Sequence, residues 1–107
     1  MTPEGRVKKS VKALLEPYKP RLYCNWPVPA GYGESTLDCF GWLNGHAFAI
    51  ETKAPGEGLT PRQQLIGDDM ARAGAAVFVI GEQMYGDGTE WKYSGEEQLK
   101  KWLQRHS

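Results

Sequence analysis

No stretch of this chain approaches the roughly 18 consecutive apolar residues that a membrane helix needs, and the opening MTPEGRVKKS lacks the apolar core of a secretory leader. The expectation is a soluble, cytoplasmic protein with no membrane partner. Net charge is missing too. Thirteen basic side chains balance 13 acidic ones, so bulk charge points to no polyanionic partner. Cysteine and histidine are scarce: Cys24 and Cys39 have no CxxC spacing, and with only His46 and His106 beside them they make a poor zinc set. Two reduced thiols are expected instead. Repeats and low-complexity tracts are absent. What is there is an ordinary folded composition, 40% hydrophobic and 24% charged, with 4 Trp, 5 Tyr and 3 Phe. A chain of 107 residues holds one hydrophobic core and not two, so residues 1–107 are read as a single domain.

Local signals punctuate the chain clearly. Thr2-Pro3 places a capping hydroxyl before a proline at the first helical position, and Val7, Val11, Leu14 and Leu15 recur at helical spacing, which predicts a helix from Pro3 to Glu16 ended by Pro17. A short strand is expected over Arg21 to Trp26. The loop that follows is rich in proline and glycine. Its neighbourhood carries Tyr23, Trp26 and Tyr32, which could stack on bases or a partner subunit, or pack within the loop. Two alternating runs then flank Asn44-Gly45, the strongest short hairpin signal, since a type I′ turn needs positive φ at both central residues. Thr60-Pro61-Arg62-Gln63 opens a second helix with a capping box, closed by Gly74. AAVFVI reads as a buried strand, and Ser94-Gly95-Glu96-Glu97 as the capping box of a last helix bearing Leu99, Trp102 and Leu103. The order α-β-β-β-α-β-α predicts a mixed α/β fold, a small sheet flanked by helices.

The hairpin count carries chemistry. With Asn44-Gly45 as a two-residue turn, Leu43 pairs with His46 and Asp38 falls opposite Glu51. Alternation puts Asp38, Phe40 and Trp42 on one face with Ala47, Ala49, Glu51 and Lys53, and Leu37, Cys39, Leu43, Phe48 and Ile50 on the other. Directly opposed carboxylates repel, so the pair needs a counterpart. Mg²⁺ or Mn²⁺ suits two hard oxygen donors on rigid strands, and Lys53, two residues beyond Glu51, would point into the same pocket. A solvated strand end with a weak exposed ion pair is the plainer alternative.

Asp38, then Glu51-Thr52-Lys53, then Leu59-Thr60-Pro61-Arg62-Gln63 opening a helix that ends ARAGAAVFVI, resembles the PD-(D/E)XK nucleases, and among them the small stand-alone VRR-NUC proteins of phages and prophages. The likeness runs from Glu4 to the strand ending at Ile80. It implies a restriction-endonuclease-like core and a Mg²⁺- or Mn²⁺-dependent DNA endonuclease. Asp38, Glu51 and the backbone carbonyl of Thr52 would hold the metal, and Lys53 would position or activate the attacking water. Glu4 would hold a water or a second ion, or else favour its helix N-terminus. Gln63 would lie near the scissile phosphate or the lysine, or else only complete its capping box. Leu37 stands where the family usually has proline.

The resemblance further implies Holliday-junction or other branched DNA as substrate and a homodimer as the working form, in a host cytoplasm if the chain is phage-encoded. A non-selective, flap or nicking nuclease is the alternative within the enzyme class, and a catalytically silent nucleic-acid-binding accessory protein the alternative outside it. Basic residues cluster at both ends. Arg6, Lys8, Lys9, Lys12 and, on the second helix, Arg62 are the expected DNA contacts, with Lys92, Lys100, Lys101 and Arg105 crowding the far end. Asp87 and Glu90 in YGDGTE are read as a polar turn.

Overall fold

Thr2 begins the first helix as expected: its hydroxyl accepts the Gly5 amide at 3.0 Å, with Pro3 at the first helical position. The helix, α1, spans Pro3–Leu15. The α-helix stops there as expected, with Glu16 as its cap before Pro17, and the chain tightens into a 3₁₀ turn over Glu16–Tyr18. The strands are β1 (Leu22–Asn25), β2 (Cys39–Leu43), β3 (His46–Thr52) and β4 (Ala76–Ile80); the other helices are α2 (Pro61–Arg72) and α3 (Glu96–His106). These elements come from a computed structural model that describes residues 1–28, 36–54, 56–81 and 95–107. Tyr32, Asp87, Glu90, Lys92 and Ser94 lie outside the described residues.

The sheet has the order β1-β2-β3-β4, with β1/β2 and β2/β3 antiparallel and β3/β4 parallel, so the chain is a mixed α/β fold with α2 as its crossover. Asn44 (φ 50°) and Gly45 (φ 84°) form the two-residue turn, which sets Leu43 against His46 and Cys39 against Ile50, the register the Asn-Gly pair demands. One sheet face packs under α1 and α3, through Val11, Leu15, Leu99 and Leu103 against Cys39, Phe48, Ile50, Phe78 and Ile80. On the other face α2 sets Ile66 against Ala49 and Val77, over the β3/β4 half.

Two local expectations are corrected. Leu37 packs with Ala49, Ile66 and Val77, on the α2 side, because β2 starts only at Cys39 and strict alternation stops there. At α3 the cap is Gly95. Its amide donates to Gln98 Oε1 at 3.1 Å, while Glu97 is committed to Lys100 at 3.4 Å. The α2 box forms as expected. Ala73 is its cap, and Gly74, just past it, takes the left-handed conformation (φ 109°) that releases the chain into β4.

Candidate active site

The parallel pair β3 and β4 ends at one edge of the molecule, at Thr52 and Ile80, and open α/β sheets bind ligands at the carboxyl ends of such strands. Lys53 follows directly. Its amide donates to the Ile80 carbonyl at 2.9 Å. Gly81 (φ 95°) then turns so close beneath the Lys53 carbonyl that a Cβ there would strike it, so glycine is what lets β4 end against the lysine backbone.

Asp38 and Glu51 meet as the hairpin register requires, and they do more than face each other. Asp38 N–H donates to Glu51 Oε1 at 3.0 Å, while Thr52 donates both its amide (2.9 Å) and its hydroxyl (2.6 Å) to Asp38 Oδ2. Each carboxylate thus caps a backbone amide of the other strand just where the ladder ends, which locks both side chains. Thr52 is fully buried, and an in-strand residue points its N–H and C=O to the same side, so its carbonyl shares the side Asp38 occupies.

Glu4 joins them from the first turn of α1. One oxygen each from Glu4, Asp38 and Glu51 lies within 4.8 Å of the others, a grouping that could hold a metal ion. At that separation like charges repel by about 3 kcal/mol per pair at an effective dielectric constant near 20. Two ammonium groups moderate this. Lys53 Nζ, 9% exposed with its residue, stands 3.9 Å from Glu51 Oε2, and Lys8 Nζ stands 3.9 Å from Asp38 Oδ1. Neither distance is a hydrogen bond. Asp38 Oδ1 accepts no hydrogen bond among the described residues, so one hard oxygen keeps its lone pairs. With all five groups ionised, three negative charges against two positive leave the cluster at −1. The donor set, all carboxylate oxygen with residual negative charge and a convergent spacing, is one that could hold a metal ion, and such hard donors suit hard cations.

Gln63 fills both roles its position suggested. Its Oε1 accepts the Thr60 amide at 3.0 Å, completing the capping box, while its Nε2 donates to Glu51 Oε2 at 3.0 Å. The buried amide therefore ties α2 to the carboxylate. Cys39, adjacent to Asp38, adds no ligand: burial, then the neighbouring Cys24 and the Asp38 charge push its thiol far above the ordinary range.

A scan of family models, a search of curated proteins and a search of solved structures each find no match to this chain. The likeness to the VRR-NUC nucleases therefore rests on these residues alone.

The expected basic contacts divide. Arg6, Lys9 and Arg62 are exposed. Lys8 turns inward to Asp38 and Lys12 lies 4.9 Å over the Trp26 ring. The place of Lys8 at the cluster was missed in the sequence, although its spacing of four from Glu4 puts both on one helix face. Among the described residues no helix is long and apolar enough to cross a membrane.

Proposed function

We propose that this chain is a metal-dependent DNA endonuclease that hydrolyses phosphodiesters in branched DNA, Holliday junctions included, as a homodimer. The observation that supports it most is the meeting of Glu4, Asp38 and Glu51, from three separate elements, beside the buried Lys53. A fold that gathers three carboxylates and buries a lysine beside them accepts a stability cost, and such costs concentrate at working sites.

A bound Mg²⁺ or Mn²⁺ would neutralise charge on the phosphoryl oxygens and the leaving oxygen. Asp38, Glu51 and the Thr52 carbonyl are the groups that would hold it, with Glu4 completing the set. The protein itself supplies position. Lys53, anchored by the Ile80 carbonyl and steered by Glu51, presents an N–H to the attacking water or to a non-bridging oxygen as negative charge builds there. Gln63 fixes the Glu51 carboxylate and so the lysine with it. Attack by the water oxygen forms one P–O bond as the water gives up a proton to solvent, the P–O bond to the leaving sugar oxygen breaks, and that oxygen takes up a proton from solvent in return. Two cuts in a two-fold-symmetric junction call for two such clusters, which an isologous dimer provides.

The test is cleavage of four-way junction, splayed, nicked and linear duplex DNA in Mn²⁺ by the wild type, Glu51→Gln and Lys53→Met. The wild type should cut the junction fastest, and each variant should lose at least 10²-fold, the usual contribution of a positioned acid or base. Undiminished cleavage by either variant would overturn the assignment, and binding without any cleavage would mark an accessory protein.

A further inference from the structure

The face of the sheet that carries Asp38 and Glu51 is only half covered. Helix α2 shields its β3/β4 side, where Phe40 and Met70 both pack against the Leu37, Ala49, Ile66 and Val77 cluster, but toward the hairpin turn none of the described residues covers the same face. There Tyr23 on β1 pairs with Trp42 on β2. The two rings lie 5.4 Å apart, tilted by 31°, and are 59% and 49% exposed. Aromatic side chains bury roughly 150–250 Å² each when fully covered, so a pair this open is an unsatisfied apolar slab.

Charge narrows the occupant. Arg21, whose carbonyl accepts the Asn44 amide at 3.1 Å, stands immediately before β1, two residues from Tyr23. It is exposed and forms no ion pair among the described residues. Neither β1 nor β2 contains an acidic residue. The slab therefore offers aromatic surface beside an unopposed cation, the combination that takes nucleobases on the rings and phosphate on the guanidinium.

Spacing ties it to the acidic cluster. Trp42 and Asp38 are four residues apart along one chain segment, about 13 Å at 3.3 Å per strand residue, or about four stacked nucleotides at 3.4 Å each. We propose that the Tyr23–Trp42 pair is a stacking platform for nucleotides of the strand being cut that come unpaired at a branch point, next to the scissile bond. The proposal rests on the nuclease reading and adds what holds its substrate. Contact with a second copy of the chain fits less well. Two half-exposed rings supply on the order of 200 Å², well below the ~800 Å² per partner of a stable interface.

The test is fluorescence anisotropy of the full chain in EDTA, where nothing is cut, with a fluorescein-labelled oligothymidylate of about 12 nucleotides, within the range of known single-strand sites, and a blunt duplex of equal length. Trp42→Ala and Tyr23→Ala should each weaken oligothymidylate binding about 5- to 100-fold, the usual loss for one stacking ring. Trp42→Phe should retain most of it, and all variants should bind the blunt duplex within about two-fold of wild type and melt at the wild-type temperature. Equal losses on both probes, no loss on either, or a fall from dimer to monomer in light scattering for Trp42→Ala would overturn the platform. Should wild type cut branched DNA while Trp42→Ala binds oligothymidylate normally, the platform fails and the nuclease reading survives. Should Trp42 govern binding in a protein that cuts nothing, the platform stands and the nuclease reading fails.

Discussion

At its His46 end, β3 leaves a tight turn whose Asn44 side chain donates to the His106 carbonyl at 2.7 Å, and the His46 and His106 rings lie 4.1 Å apart with Trp102 next to them. At its Thr52 end, the same strand brings Glu51, and Lys53 just beyond it, into a cluster with Asp38, Glu4 and Lys8. The first end joins a hairpin to the last helix through a hydrogen bond and stacked rings, which favour the fold while the histidines are neutral. The second end crowds three carboxylates within 4.8 Å and buries a lysine beside them, which raises the energy of the fold. One strand thus runs from a stabilising end to a strained one, and separate perturbations should tell them apart.

The sharpest contrast is in Asp38→Asn. An asparagine oxygen can still accept from Thr52, while the repulsion with Glu4 and Glu51 disappears. Cleavage should fall on the order of 10³-fold or more, several kcal/mol of transition-state stabilisation, with melting in EDTA unchanged or higher. A marked drop in melting temperature would mean the carboxylates stabilise the fold and the two ends do not differ. Leu103→Ala, in the fully buried seam that α3 makes with the sheet, should do the reverse. Denaturant melts should show a loss of about 2–5 kcal/mol, with cleavage per folded molecule preserved. Next in size is the response to Mn²⁺. At a hundredfold excess over its dissociation constant the ion should stabilise the wild type by about 2.7 kcal/mol and Asp38→Asn hardly at all, read by thermal denaturation.

How much of this could be read from the chain depends on how local the signal is. Asn44-Gly45 sets the β2/β3 register within a few residues, so the meeting of Asp38 and Glu51 was legible, as was Lys53 two residues on. Glu4 was not reachable that way. Nothing in its spacing says where α1 docks, and it entered only through the family likeness. The spacing of Gln63 suits a cap and a site residue equally, and the structure needs no choice, because its oxygen and its nitrogen serve one role each. Alternation puts Leu37 on the α1/α3 face only if β2 extends beyond Cys39, and β2 starts at Cys39, so Leu37 packs on the α2 side. The contact of α3 with the hairpin turn had no local signature, since Asn44 and His106 are 62 residues apart in the chain.

The smallest expected effect lies at the stabilising end. Loss of hydration around the His106 ring, then the His46 and Arg105 charges, holds its pKa below the ordinary 6.5. A folded state that resists protonation is most stable above that ordinary value and loses the contribution as pH falls through it toward the depressed one. Lowering the pH from 7.5 to 5.5, roughly a unit either side of free imidazole, should slightly reduce the melting temperature, and His106→Gln should remove that part of the dependence.

The central claim is that a divalent cation belongs between carboxylates from three separate elements. Anomalous diffraction from a crystal soaked in Mn²⁺ tests it directly. The account predicts a peak bounded by Glu4, Asp38 and Glu51 in the wild type that is lost in Asp38→Asn. A fully soaked crystal in which those carboxylates enclose no peak, with Lys8 or Lys53 closed onto them instead, would contradict it.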